Sequence, residues 1–273
     1  RVWLHGGTGR GEIPGWARQL SLPNPFPPTS RALNEPNGLL AVGGDLRSET
    51  LISAYAQGIF PWFEPGQDIL WWSPDPRSVL IPDRIHISRS LKKFLRKSAW
   101  QISCDTRFAA VVDRCANVLR QQEDHTEHGT WITAEMRQAY LALHQLGVAH
   151  CVEVCDGDQL LGGLYGVMLD GVFFGESMFS DDTNASKVAL IALARLCTDN
   201  GLVMIDCQVH NPHLETLGAE LVSRQVFEKK LEGAITTPMK TVINNPLCLA
   251  PVTGASLEDR LTLPIKRFAA ELV

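Results

Sequence analysis

Two apolar, strand-like segments carry polar side chains that need a reason to be there. In Ile205-Asp206-Cys207-Gln208-Val209 an acid and an amide interrupt a hydrophobic run, and in Phe173-Phe174-Gly175-Glu176-Ser177-Met178-Phe179 the only charge is Glu176. Strand side chains alternate between faces, so Asp206 and Gln208 are expected on one face, about 7 Å apart along the strand. By the same rule Glu176 is expected beside Phe174 and Met178. A buried carboxylate is costly without a partner, so each acid is either a satisfied structural group or one with a chemical task. Two such intrusions on neighbouring sheet elements favour the second reading, because functional sites are where sequence rules are broken. Acids and an amide in one site could orient a nucleophile and handle its proton.

A different chemistry is suggested by Arg84–Lys97, where six basic residues and His86 occur with no acid among them. Such a run is often only a solvated helix face. The chain has a net charge of −5, however, so any contact with phosphate must come from a local patch of this kind. Aromatic surface is also concentrated. Trp71 and Trp72 are expected in the core, whereas Trp62 and Trp131 adjoin turn residues and are expected to offer stacking faces. Base stacking of that kind is worth about 1–3 kcal/mol per base.

Other chemistries have weaker support. His125/His128 and His210/His213 have no convincing further ligands, and Pro212 interrupts the second pair, so no metal is expected. Gly162-Gly163-Leu-Tyr-Gly166 lies within a strand and is not a phosphate loop. Neither a Walker nor a Gly-x-Ser-x-Gly pattern occurs. The seven cysteines (104, 115, 151, 155, 197, 207 and 248) read as small buried hydrophobes in a reducing compartment. Cys151 and Cys155 would lie about 13 Å apart along a strand, too far for a disulfide. With no apolar run of the roughly 20 residues a membrane span needs, and no signal-peptide core at the start, a cytoplasmic protein with no membrane partner is expected.

The elements that must position these residues follow from periodicity. Helices are expected over Glu49–Gln57 before Gly58, and from Ser88 with Leu91, Phe94 and Leu95 inward. Arg89, Lys92, Lys93, Arg96 and Lys97 take the outer side of the latter. Thr133 is expected to cap a helix with Met136, Tyr140 and Leu143 on one face and Gly147 at its end. Asn184 is expected to cap another that runs to about Asn200. Between these the period becomes that of strands: Val148–Cys155, Leu160–Leu169 and Val172–Phe179, joined by Asp-Gly turns, and later Leu202–Val209. This is an α+β pattern in a chain of 273 residues, 45% apolar, which suits a large domain plus a small one. Residues 1–34 are read as a partly ordered segment. Residues 234–273, with Pro238, Pro246, Pro251 and Pro264, are read as a loose tail with a short amphipathic stretch at Leu261–Leu272.

Ordered blocks from about residue 22 to 233 resemble the leucyl/phenylalanyl-tRNA–protein transferases. They are Glu35-Pro-Asn-Gly-Leu-Leu-Ala-Val-Gly-Gly-Asp-Leu46, Gly58-Ile-Phe-Pro-Trp-Phe63, Trp71-Trp-Ser-Pro-Asp-Pro-Arg77, His86-Ile-Ser-Arg-Ser90, Gly129-Thr-Trp-Ile-Thr133, Gly175-Glu-Ser-Met-Phe179, Asn184-Ala-Ser-Lys187 and Ile205-Asp-Cys-Gln208. The resemblance implies a small N-terminal domain, placed at 35–82, and a GNAT-like acyltransferase domain with a mixed sheet, placed at 83–233. It implies transfer of Leu, Phe or, less well, Met from aminoacyl-tRNA to proteins or peptides beginning with Arg or Lys, marking them for N-end-rule degradation, with no metal or organic cofactor. Gln208 would then hold the attacking amine and Asp206 would orient and polarise Gln208. Glu176 would help hold either the acceptor's basic side chain or its amine. The proton would leave through Asp206 and Gln208 or to the substrate's own ribose hydroxyl. Leu164, Phe173, Leu193 and Cys197 would form the aminoacyl pocket, Trp62 and Trp131 the adenosine site, and Asn211 a further site position. The basic face from Arg89 to Lys97 would meet the tRNA acceptor stem. Leu193 and Cys197 are less aromatic than their family counterparts, which leaves the Leu or Phe preference open. A CoA-dependent acetyltransferase would need a pyrophosphate loop that is missing, and a purely RNA-binding protein would leave Asp206, Gln208 and Glu176 unexplained.

Overall fold

The computed structural model describes residues 26–117, 132–235 and 262–264. The first sheet among the described residues is small and antiparallel, made of β1 (Leu39–Val42), β2 (Phe60–Pro61) and β3 (Leu70–Trp72) in the order β1-β3-β2. Helix α1 (Ser48–Ala56) packs beside it, with Leu51, Ala54 and Tyr55 fully buried. Trp71 and Trp72 are core residues, as their setting predicts, and their indole N–H groups donate to the carbonyls of Gly43 and Trp62. Within the segment read as partly ordered, Phe26 is packed edge-on against Trp71, with ring centroids 4.9 Å apart. Residues 1–25 lie outside the described region.

The rest builds an eight-stranded mixed sheet in the order β10-β4-β9-β8-β7-β6-β5-β11. In chain order its elements are β4 (Arg77–Leu80), α2 (Arg89–Lys97), β5 (Gln101–Cys104), α3 (Phe108–Ala116), α4 (Ala134–Gln145), β6 (Ala149–Asp156), β7 (Gln159–Leu169), β8 (Val172–Ser180), α5 (Ala185–Asp199), β9 (Met204–Gln208), α6 (Pro212–Glu215), β10 (Glu220–Val222), α7 (Arg224–Ala234) and β11 (Thr262–Pro264). The paired strands are antiparallel except β8 and β9, which run parallel and are joined through α5. That connection follows from geometry, since parallel neighbours need a long crossover and not a tight turn.

Several boundaries differ from the sequence reading. Arg77–Leu80, grouped there with the small domain, pairs between β10 and β9 inside the large sheet. Thr262–Pro264, inside the segment read as a loose tail, pairs with β5 as an edge strand. Asn184 precedes α5, but with φ 78° and no capping bond from its side chain. Thr133 does cap α4, accepting from Met136 N, and Ser88, where a helix is expected to begin, caps α2 by accepting from Leu91 N.

The large sheet separates two apolar clusters. One joins the small sheet, α1, α3, α4 and α7 (Trp71, Tyr55, Val112, Tyr140, Phe174, Phe227). The other joins α2 and α5 to the opposite face (Leu91, Leu95, Leu164, Phe173, Leu193, Ile205). Two of the strands pack exceptionally closely: a Cβ on Gly166 of β7 would collide with the Phe174 carbonyl and the Phe173 ring of β8. On the neighbouring strand, Glu153 of β6 is wholly buried at the start of α3. It accepts from Thr106 N (2.9 Å), Arg107 N (2.7 Å), Thr106 Oγ1 (2.6 Å) and the Ser103 hydroxyl.

Candidate active site

The two strands singled out in the sequence are neighbours, and both depart from regular alternation at the residues that matter. Opposite β4, Ser78 pairs with Gln208 and Val79 with Asp206, so Cys207 is an extra residue and β9 bulges there. Gln208 sits in the left-handed region at φ 64°. Asp206 and Gln208 therefore do not simply continue one strand face. The Asp206 carboxylate is fully buried and turns to Arg77, accepting from Nε at 2.8 Å and Nη2 at 2.6 Å. Its Oδ1 also accepts the Gln208 backbone N–H at 2.9 Å. The guanidinium packs on two aromatic rings, 4.8 Å from the Phe60 centroid and 4.6 Å from that of Phe227.

On β8 the irregularity falls at Glu176. Gly166 pairs with Gly175 and Tyr165 with Ser177, leaving Glu176 as the inserted residue. A bulge shifts the face parity of everything after it. Phe174 and Phe179 accordingly lie in one cluster, while Met178 packs with the other, on the side of Phe173. Glu176 thus does not share its face with Met178 as alternation predicts. Its Oε2 accepts from the Tyr140 hydroxyl at 2.5 Å, and its Oε1 from Gln208 Nε2 at 2.9 Å. Tyr140 of α4 in turn meets the hydroxyl of Tyr55 from α1 at 2.7 Å.

The electrostatic consequences of these two settings differ. Burial pushes the Glu176 carboxyl up to about 7; donors from Tyr140, Tyr55 and Gln208 oppose the rise, and the nearby Asp206 charge adds to it. Burial and the Glu176 charge drive the Tyr55 and Tyr140 hydroxyls well above the ordinary tyrosine value, so they remain neutral donors. With Glu176 ionised, the Gln208 amide must turn its N–H₂ toward that carboxylate. Its carbonyl is then left for a ligand.

Above these groups lies a cavity of about 500 Å³. Of the residues expected at the site, Trp62, Leu164, Phe173, Glu176, Leu193, Asp206, Gln208 and Asn211 line this one cavity, along with Met178, Leu190, Ile205 and Leu214. Cys197 does not line it. One helical turn beyond Leu193, it is fully buried in the apolar cluster behind, where desolvation pushes its thiol far up. Trp131 lies outside the described residues. Trp62 is half-buried, tilted against Trp72 at 5.7 Å, and also borders an adjoining apolar recess of about 300 Å³ with Phe60, Val209 and His210. Asn211 caps α6 by accepting from His213 N at 2.9 Å.

On α2, Arg89, Lys93, Arg96 and Lys97 are exposed and Lys92 is partly so. Leu91 and Leu95 fix the helix to the same cluster that holds Leu164, Phe173 and Leu193. Among the described residues no group of three or more His, Cys, Asp or Glu could hold a metal ion, and no helix is long and apolar enough to cross a membrane.

Arg77, Tyr55 and Tyr140 were not singled out as site residues in the sequence. Arg77 closes one of the quoted blocks, but its partner is 129 residues away. The tyrosines stand on inward helical faces, where an aromatic reads as core.

A buried ion pair beside a titratable carboxylate, both opening on an apolar cavity, marks a site that positions a reactant next to a greasy side chain. Comparison with known proteins narrows the class. The model of the leucyl/phenylalanyl-tRNA protein transferase family matches residues 79–232, and that of its N-terminal domain matches residues 44–75. A leucyl/phenylalanyl-tRNA–protein transferase from Xylella fastidiosa is 54% identical over 237 residues, covering 87% of this chain and 94% of the relative. Relatives of the same name from Xanthomonas axonopodis pv. citri and Pseudomonas putida are each 51% identical, over 78% of this chain and 84% and 92% of theirs. Among solved structures, L-PGS from Bacillus licheniformis aligns with a TM-score of 0.35 at 10% identity, over 60% of this chain and 51% of that one. The protein belongs to the leucyl/phenylalanyl-tRNA–protein transferase family, and so to the transferases.

Proposed function

We propose that the protein transfers leucine or phenylalanine, and less well methionine, from aminoacyl-tRNA to the N-terminal amine of proteins beginning with Arg or Lys, in the cytoplasm, tagging them for N-end-rule degradation. The observation that carries this reading is the Gln208 amide, bonded through its nitrogen to Glu176 with its carbonyl left for the cavity. A carbonyl oxygen there accepts an N–H from the incoming amine and holds it beside the ester. The apolar wall of Leu164, Phe173, Leu190 and Leu193 takes the aminoacyl side chain. Each buried CH₂ contributes only about 0.8 kcal/mol, so this wall excludes charged side chains far more strongly than it separates Leu from Phe. The terminal adenosine stacks on Trp62. The mixed sheet, with its parallel β8–α5–β9 crossover, supports the GNAT-like class that the family resemblance implies.

In the step itself the amine nitrogen attacks the ester carbonyl, the bond to the ribose oxygen breaks, and the proton lost by nitrogen ends on that oxygen. An aminoacyl ester is already activated, and the acceptor amine has an ordinary pKa near 7.7–8.0, so positioning supplies most of the rate. Both oxygens of Asp206 are occupied by Arg77 and one also by the Gln208 backbone. This favours proton transfer to the ribose hydroxyl over removal by Asp206. Asp206 then orients Gln208 through its main chain. Glu176 orients the Gln208 side chain, and must be ionised to do so.

The test is transfer of labelled leucine from Leu-tRNA to an Arg-starting peptide, with an Asp-starting peptide as control. No product on the Arg peptide would sink the proposal, and equal product on both would remove the acceptor rule. For the RNA contact, Lys93, Arg96 and Lys97 replaced together by Ala should weaken tRNA binding and reduce the slope of log K against log salt by about 2, from roughly 0.7–0.9 per lost phosphate contact. An unchanged slope would make α2 a solvated face only.

A further inference from the structure

We infer that Arg77 is a positioning residue for the transfer, acting through Asp206 to hold the Gln208 turn that aims its amide at Glu176. This rests on the transferase reading above and names a residue it did not require. Arg77 and Asp206 are 1% and 0% exposed. Stability alone is a poor reason for such a pair, since apolar replacement of a buried ion pair is often neutral or stabilising. The geometry offers a better one. Asp206 Oδ1 accepts from both Arg77 Nε and the Gln208 backbone N–H, so the guanidinium sets where the acceptor for that N–H stands. Gln208 is held at φ 64°, a conformation costing a non-glycine residue about 1–3 kcal/mol unless its surroundings impose it. The bulge at Cys207 gives the strand room to make that turn, and the Asp206 bond stabilises it. Arg77 is itself held against two aromatic rings, Phe60 of the small sheet and Phe227 of α7. The chain of contacts therefore runs from the small sheet and α7, through Arg77 and Asp206, to the amide that meets the substrate amine.

The experiment is a double-mutant cycle on the single-turnover rate of leucine transfer at saturating Leu-tRNA. Arg77→Met should slow transfer by about 10- to 100-fold while the Kd for Leu-tRNA stays within about 3-fold, because the loss falls on orientation and not on donor binding. Arg77→Lys, which keeps the charge but not the two-bond geometry, should recover part of the rate. In a Gln208→Ala background, Arg77→Met should cost less than about 2-fold more, since the group it positions is already gone. Full multiplication of the two losses would show that Arg77 acts on stability or elsewhere, and would overturn the inference. Should Arg77→Met fail to fold, Arg77→Met/Asp206→Leu removes both charges together. That variant is expected to fold and to be as slow as Gln208→Ala, and a wild-type rate in it would equally overturn the inference. The wild-type control separates the two claims: no transfer by wild type refutes the transferase reading, whereas active wild type with independent losses refutes only the role of Arg77.

Discussion

Asp206 and Glu176 sit on adjacent strands, border the same cavity and are both buried, yet their surroundings assign them opposite behaviour. Asp206 has a full counter-charge, delivered in two bonds by Arg77. Glu176 is met by the hydroxyls of Tyr140 and Tyr55 and the amide of Gln208, all neutral, and its carboxyl rises to about 7. Glu153, the third buried acid among the described residues, is satisfied by backbone amides and hydroxyls at the start of α3 and does not line the cavity. A buried carboxylate thus says little by type. An arginine makes it a fixed anchor, whereas neutral donors beside a cavity leave it poised to gain or lose a proton near neutral pH.

The largest effect expected is from breaking the anchor. Asp206→Ala leaves Arg77 buried without its partner, which should cost about 3–5 kcal/mol in denaturant unfolding and depress turnover far more than tRNA affinity. Equal losses of turnover and affinity would reduce Asp206 to scaffolding. Glu176→Gln should act in the opposite direction on stability. The folded carboxyl holds its proton up to about 7 against an ordinary 4.5. The native state therefore binds more protons than the unfolded one across that window, and stability falls as pH rises through it. Removing the charge should stabilise the protein by about 3 kcal/mol at pH 8 and abolish that slope, while transfer drops because an amide, which can donate as well as accept, no longer fixes which way the Gln208 amide points. A thermal scan showing no gain at pH 8 would contradict the contrast between the two acids.

Smaller changes sharpen the same contrast. Tyr140→Phe takes one donor from Glu176, so the acid limb of the transfer–pH profile should move up by about one unit, with a loss under about tenfold at pH 8. If the limb stays put, the group that titrates is not Glu176. Ser103→Ala, which removes one of several donors to Glu153, should cost only about 1 kcal/mol of stability and leave the transfer rate alone. A changed rate would mean that the third acid is coupled to the site after all.

Local order was well marked in the chain. The Ser88 and Thr133 caps, the Asp-Gly hairpins and the two core tryptophans carry signals a few residues long, and the elements form where those signals stand. Asp206, Gln208 and Glu176 were conspicuous as polar breaks in apolar strands, and they converge on one cavity. Their detailed geometry was hidden because bulges at Cys207 and Glu176 cancel the period-two rule at those very residues. Arg77 was hidden because the pairing is long-range. For Cys197 the difficulty was of another kind. Helix α5 is buried on nearly all sides, so periodicity cannot tell which of its apolar faces borders a cavity and which packs against the sheet.

The close approach at Gly166 bears on how the protein could fail. Any side chain there would force β7 away from β8 at the place where Glu176 is inserted, and against the Phe173 ring that lines the cavity. Such a lesion would leave every reactive residue present in the gene and misplaced in space. Heritable loss of transfer could thus arise at a position with no chemistry of its own, and would be read as a folding defect, sensitive to temperature, before it was recognised as a catalytic one.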